Sequence, residues 1–294
     1  MTPSLGGGRR DWGGLAFVGP FVALYAFLLI YPLVMGMGLS LHRADLFGAK
    51  TWVGLDNYAR LVRDPVFLHS LRNTLKLVLL IVPPLTVITL LLAVALNTRT
   101  RASGFFRGVF FSSSVLSVTI VTLIWRFVLT PDAGLLAEVA EALGREPLPW
   151  LSHPDLTIPA LALTTIWWSI GLPMMLFLAG LQQIPGDMYE AAALDRSSRW
   201  TTFRLITLPQ LQRTTILVVM LQTAAQLQLF GQAQLLTAGG PSGASRPAVL
   251  YIFESAFVRW ELGYALAAAE ILFTLVLAVT LIQYWATRPQ DDRR

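Results

Sequence analysis

Cysteine is absent from all 294 residues. That excludes disulfides and thiolate metal sites, and it leaves the redox compartment open. Histidine is scarce: His42, His69 and His153 stand far apart and follow no metal-ligand spacing, so they read as polar loop residues and no metal site is expected. Lysine disappears after Lys76. No Gly-x-x-x-x-Gly-Lys-Ser/Thr loop occurs, so the chain does not hydrolyse nucleotide by that machinery. Any energy for work comes from a partner or a gradient. Charge of either sign is thin, at 13%, where a soluble protein carries about a quarter. No segment of roughly 20–50 residues repeats, which excludes a solenoid or a visible internal duplication.

What fills the chain is apolar, 55% of it, in runs long enough to cross a bilayer, which takes about 20 residues. Trp12 to Leu41 is free of charge and exceeds a signal-peptide core of roughly 7–15 residues. Five further runs follow. The expected architecture is an all-α integral membrane protein, a single domain over 1–294 with six spans near 13–40, 76–98, 106–128, 157–181, 212–236 and 262–286. Pro83-Pro84 predicts a kink in the second span, which neighbouring helices can accommodate.

The net charge of +5 would point to nucleic acid in a soluble chain. Here the arginines lie at the edges of apolar runs, so lipid headgroups and topology account for them and no nucleic acid is expected. With both termini inside, twelve of the 22 basic residues fall on the cytoplasmic side. The bias is clearest in short connections, where Arg99, Arg101 and Arg107 crowd together, and Arg9 and Arg10 precede the first span.

One polar interruption organises the rest: residues 182–211, between the fourth and fifth spans. Pro185 suits a helix start, and Asp187 and Glu190 then lie near the positive end of its dipole. Asp195-Arg196-Ser197-Ser198 breaks the run. Ser198 is placed to cap a second helix to about Thr207, with Pro209 as the next boundary. Glu190-Ala191-Ala192, Asp195, Trp200, Phe203 and Ile206-Thr207-Leu208-Pro209 together resemble the EAA loop of binding-protein-dependent ABC importer permeases. One position departs: Arg196 stands where that family usually has a glycine, which implies a different or mildly strained turn.

The resemblance extends outward. Trp52-Val53-Gly54-Leu55-Asp56-Asn57-Tyr58 with Asn73-Thr74, Pro131-Asp132-Ala133-Gly134, and Leu236-Thr237-Ala238-Gly239-Gly240-Pro241 are similar to segments of the carbohydrate branch, the maltose and glycerol-phosphate type. It implies a permease subunit in the bacterial inner membrane. Its implied partners are a second homologous permease, two cytoplasmic ATPases and an external solute-binding protein. It also implies a non-enzymatic chain, with ATP and Mg bound by the partners, and a coupling role for Glu190, Ala191, Ala192, Asp195 and Arg196.

Two other readings have a foothold. A gradient-driven transporter usually carries intramembrane carboxylates and inverted repeats; only Glu270 qualifies, and no repeat appears. Glu270 itself reads either as a contact to solute or a neighbouring helix, or as a side chain snorkelling outward. Gly240-Pro241-Ser242-Gly243 has the form of a rhomboid-type intramembrane protease motif, but no histidine base follows His153. For the solute path the strongest signal is in the fifth span. On one continuous helix, Gln222, Gln226, Gln228 and Gln232 share an arc of about 160°, with Met220, Ala224, Leu227, Gly231 and Leu235 opposite. Such amides offer donor and acceptor to sugar hydroxyls, and Phe230, Trp167 and Trp168 offer apolar faces for a ring. Helix–helix hydrogen bonding is the alternative role for the amides.

Overall fold

The structure, a computed structural model, describes residues 12–287 apart from Leu46 and Arg99, with side chains from Phe17 onward. The topology expectations on Arg9, Arg10, Arg99, Arg288, Arg293 and Arg294 lie outside the described residues.

Helix α1 (Trp12–Tyr25) passes through a π-helical stretch (Ala26–Ile30) into α2 (Tyr31–Ser40). A short antiparallel hairpin follows, β1 (His42–Ala44) on β2 (Lys50–Trp52), with His42 opposite Trp52 and Ala44 opposite Lys50. The chain is therefore mostly, not wholly, helical. After α3 (Asp56–Leu61) comes the longest helix, α4 (Pro65–Leu96). It starts eleven residues before the expected span because Asp64 caps it, its carboxylate accepting from the N–H groups of Val66 and Phe67, with Pro65 in the first turn. Pro83 and Pro84 lie inside α4 without ending it.

Next come α5 (Arg101–Ser113), α6 (Val118–Leu129), α7 (Leu135–Ala142), α8 (Pro154–Ser169) and α9 (Gly171–Gln182). Beyond them lie α10 (Gly186–Leu194), α11 (Arg199–Thr202), a π-helical stretch (Phe203–Thr207), α12 (Leu208–Gln210), α13 (Gln212–Leu227) and α14 (Gly231–Leu236). The chain closes with α15 (Ala248–Phe253), a π-helical stretch (Glu254–Val258) and α16 (Leu262–Ala286).

Three of the six expected spans are not continuous helices. The third divides into α5 and α6, bent by 99°, and the fourth into α8 and α9, bent by 48°. The fifth divides at Gln228–Phe230 between α13 and α14. By length and apolarity, three described helices can each cross a bilayer, or five stretches if each bent pair is one crossing; α13 is too short to count alone.

The chain forms two compact units, Met1–Leu61 with Glu254–Glu270, and Val62–Phe253 with Ile271–Arg294. In the first, Asn57 donates to the carbonyls of Ser40 (2.8 Å) and His42 (2.9 Å), so the Asn-Tyr motif fastens the hairpin to the end of α2. In the second, α4 is central and packs on α8, α9, α13 and α15. Leu77, Ile81, Leu85 and Thr89 recur every four residues along its buried face. Within lipid such packing acts through van der Waals contact and hydrogen bonds, since the tails are as apolar as leucine. The Asn73-Thr74 pair meets the stretch that follows the Gly-Gly-Pro segment here. Asn73 donates to the carbonyls of Gly243 (3.2 Å) and Arg246 (3.1 Å), and Thr74 accepts from the Ala248 N–H (2.9 Å).

Candidate functional site

The three helix breaks converge. At the first, Ser114 Oγ donates to the Trp168 carbonyl (3.1 Å) and accepts from the Gly171 N–H (3.1 Å), while Trp168 Nε1 donates to the Leu116 carbonyl (3.0 Å). The α5–α6 and α8–α9 breaks are thus hydrogen-bonded to each other. Gly171 makes this possible: a Cβ there would lie 2.5 Å from Ser114 Oγ and 2.9 Å from Phe111 Cα. At Gly231 a Cβ would meet Val118 Cγ2 at 2.9 Å, which brings the third break against the start of α6.

Between the breaks lies an open-sided pocket of about 440 Å³. Gln222, Gln226, Gln228 and Gln232 line it with Trp168, Phe230, Ser114 and Ser169, and no charged side chain does among the described residues. Gln226 Nε2 donates to Gln222 Oε1 at 3.3 Å, so each of these amides keeps one arm for a further partner. Gln222, Gln226 and Gln232 are buried in the chain and Gln228 is exposed.

The glutamines meet for a reason the periodicity did not contain. The single-helix arc is broken, because α13 tightens at its end: the N–H groups of Gln228 and Leu229 turn to the carbonyls of Ala225 and Gln226, both at 3.2 Å. The Ala224 carbonyl, released by this, accepts from the Gln228 side chain at 3.3 Å. Gln232 therefore reaches the pocket from α14, across the break. The same break carries Gly231 to the pocket wall, although one straight helix would hold it on the far side.

Two expected residues lie elsewhere. Trp167 stacks edge-on against Trp125, 6.0 Å between centroids, and is not on the pocket wall. Adjacent helix positions differ by about 100°, so only Trp168 of the pair faces inward. Glu270 does not line the pocket either; it belongs to the first unit, where its carboxylate stands 4.0 Å from the position of a Cβ on Gly36. Ser114 and Ser169 were not anticipated. The clue was present in Ser112-Ser113-Ser114 and Ser169-Ile170-Gly171, which interrupt otherwise apolar runs.

The polar interruption forms two helices joined by a tight turn. Helix α10 ends in a Schellman arrangement: the Ser197 N–H bonds the Ala192 carbonyl (3.0 Å) and the Arg196 N–H bonds that of Ala193 (3.1 Å). Asp195 is the C-cap, and Arg196 follows in the left-handed region at φ 53°. The turn is the one glycine would make, held here by an arginine. Ser198 then caps α11, accepting from the Thr201 N–H at 3.1 Å. The second helical stretch continues past Thr207 to Gln210, through the π-helical segment Phe203–Thr207 and past Pro209. Tyr189 and Thr207 hydroxyls, 3.1 Å apart, tie the two arms. Glu190 and Ala191 are exposed and Ala192 is buried. Leu194 (85%), Trp200 (69%) and Leu205 (67%) stand uncovered on this loop. Ser242 sits in a turn at φ 49°, not on a helix.

The model of the binding-protein-dependent transport system inner membrane component family matches residues 66–289. A probable ABC transporter permease of Bacillus subtilis, YurN, is 33% identical over 89% of this chain and 91% of its own length. The trehalose/maltose transport system permease MalF of Thermococcus litoralis and the lactose transport system permease LacF of Rhizobium radiobacter are each 30% identical, over 95% of both chains in each case. Among solved structures, a chain of a bacterial alginate ABC transporter in complex with an alginate pentasaccharide-bound periplasmic protein superposes with a TM-score of 0.85. It is 21% identical over 95% of both chains, a likeness of fold.

Proposed function

The chain belongs to the family of binding-protein-dependent transport system inner membrane components, the permease subunits of ABC importers, and from that premise we propose that it forms half of a pathway for a sugar or sugar-like solute. The second half is a homologous permease. Two cytoplasmic ATPases supply ATP hydrolysis and hold the nucleotide and Mg, and an external solute-binding protein delivers the solute. The chain crosses the membrane six times with both termini inside, the bent pairs and the α13–α14 pair each making one crossing. Membership in this family leaves gradient-driven transport and intramembrane proteolysis without support.

The observation that carries the solute path is the amide-lined pocket at three helix breaks. Irregular backbone is tolerated at membrane depth where it lines a cavity or is buried in protein. Broken helices near the midplane are where transporters bind their cargo. The amides pair with hydroxyls, Trp168 and Phe230 cover a ring face, and the absence of charge suits a neutral polyhydroxylated solute. At the other end, Leu194, Trp200 and Leu205 offer an apolar surface and Glu190 a charge to a groove on an ATPase. ATP-driven closure moves this loop, and the movement does work because closure binds the two permease states with different affinity.

The test is reconstitution of the chain with its partner subunits in vesicles. The chain alone is expected to show no ATPase activity. The assembled complex hydrolyses ATP faster when sugar-loaded binding protein is present, and it accumulates that sugar. ATP turnover by the purified chain alone, or uptake driven by an ion gradient without ATP, would overturn the proposal.

A further inference from the structure

A second cavity, of about 390 Å³, lies wholly within the first unit. It has no part in the solute pocket. Its walls come from the β1–β2 hairpin, α3 and the segment that leads into α16. Two apolar helices end beside it. One is the stretch that closes at Ser40, the other is α16 opening at Leu262. They end together: a Cβ on Gly263 would lie 2.0 Å from the His42 carbonyl oxygen, so α16 begins directly against the hairpin. The cavity therefore stands at a bilayer–water boundary, whichever way the chain is oriented.

Its lining carries both charge signs. Arg60 is already committed, its guanidinium 3.3 Å from Glu261 and 4.6 Å over the ring of Tyr264. Lys50 is exposed, and among the described residues it has no ion pair. Asp45 uses one oxygen to accept from Phe47 and Ala49 N–H groups (2.9 and 3.0 Å), keeping its negative charge at the cavity wall. Trp260 is held at φ 61°, a left-handed conformation unusual for a bulky residue, with its ring stacked on Phe47 at 5.4 Å. Strain of this kind collects at ligand clamps. Phe47, Trp52 and Trp260 are all exposed at this level, as interfacial aromatics are at headgroup depth.

We propose that this cavity binds the zwitterionic headgroup of a phospholipid of the phosphatidylethanolamine type. Lys50 takes the phosphate; Arg43, which also lines the cavity, is 3.7 Å from Asp56. Asp45 takes the primary ammonium through a charge-assisted hydrogen bond, and the Trp260 ring, on the same cavity lining, adds cation–π contact. The acyl chains continue along the apolar helices that end here. Neither a purely anionic nor a purely cationic ligand uses both walls. The proposal rests on the membrane reading and not on the solute path.

The experiment uses the assembled importer, delipidated in detergent and titrated with phosphatidylethanolamine or phosphatidylglycerol, with bound lipids counted by native mass spectrometry. The unmodified complex is expected to prefer phosphatidylethanolamine. Lys50→Gln weakens retention of both lipids by about fivefold, in line with one basic residue near a membrane surface. Asp45→Asn preserves the turn, since its amide oxygen still accepts both N–H groups. It removes the preference for phosphatidylethanolamine over phosphatidylglycerol. Unchanged lipid counts in both variants would overturn the proposal. So would displacement of the lipid by free phosphoethanolamine at equal concentration, which would assign the site to a soluble ligand. If the variants lose affinity for the external binding protein with lipid counts unaltered, the cavity is a protein socket and the proposal fails.

Discussion

Replacing Arg196 by glycine should strengthen the turn between α10 and α11. The residue sits at φ 53°, where the Cβ of an L-residue crowds the following carbonyl at a cost of about 1–2 kcal/mol. Glycine removes that cost but adds freedom to the unfolded chain, about 0.4–1 kcal/mol. The net expectation is a gain of about 0.5–1 kcal/mol. No ion pair among the described residues opposes it, and Arg196 is exposed. Hydrogen exchange reads this locally. The Ser197 N–H is held by the Ala192 carbonyl, so its protection should rise about two- to fivefold in Arg196→Gly, the same energy expressed as an opening constant. Three companions separate backbone from charge. Arg196→Asn, which tolerates the left-handed region, should gain a smaller part. Arg196→Lys, with charge kept and strain kept, should match the parent. Arg196→Val, β-branched at positive φ, should lose about 1 kcal/mol or more. Protection that falls in the glycine variant, or that follows charge across the series, would refute the strain account.

Two further outcomes follow from the site. Glu190→Lys reverses an exposed charge on the 182–211 loop, so under the proposed coupling role uptake by the assembled importer should fall at least about tenfold while membrane insertion, checked by membrane flotation, is unchanged; full uptake would remove the loop from coupling. Gly171→Ala forces a methyl group into Ser114 and the Phe111 backbone. It should destabilise the assembly by about 1–3 kcal/mol, read as a lower melting temperature, whereas Gly186→Ala, with open space around it, should not.

How legible this was in the sequence depended on the scale of the signal. The membrane class and the capping serine at 198 follow from composition and turn chemistry, which act locally. The breaks are marked in the sequence only by small polar interruptions, Ser112-Ser113-Ser114 and Ser169-Ile170-Gly171, within runs long and apolar enough to read as single spans. What joins the two bends is a tertiary contact, Ser114 bonding across to Trp168 and Gly171, and no window of sequence contains it. The glutamines illustrate both halves. Their clustering was visible as a helical face, yet the face is interrupted at Gln228–Phe230, and it is that interruption that gathers Gln232 with the others. Trp167 and Glu270 stand out in the sequence as an aromatic and a carboxylate inside apolar spans. Direction is not legible there: neighbouring Trp168 takes the pocket wall, and the Glu270 carboxylate lies near Gly36 of α2.

The central claim is that the glutamine-lined pocket is part of the solute pathway, and the absence of cysteine allows it to be tested residue by residue. Single cysteines at positions 222, 226, 228, 232 and 227 would be introduced into the assembled importer and exposed to a membrane-impermeant thiol reagent, with and without solute-loaded binding protein and ATP. The first four should react in at least one state of the cycle, with solute protecting some of them. The cysteine replacing Leu227, which is 1% exposed in the chain, should stay unreactive. Equal reactivity at all five positions, or none at the four glutamine sites in any state, would contradict the account and remove α13 and α14 from the path.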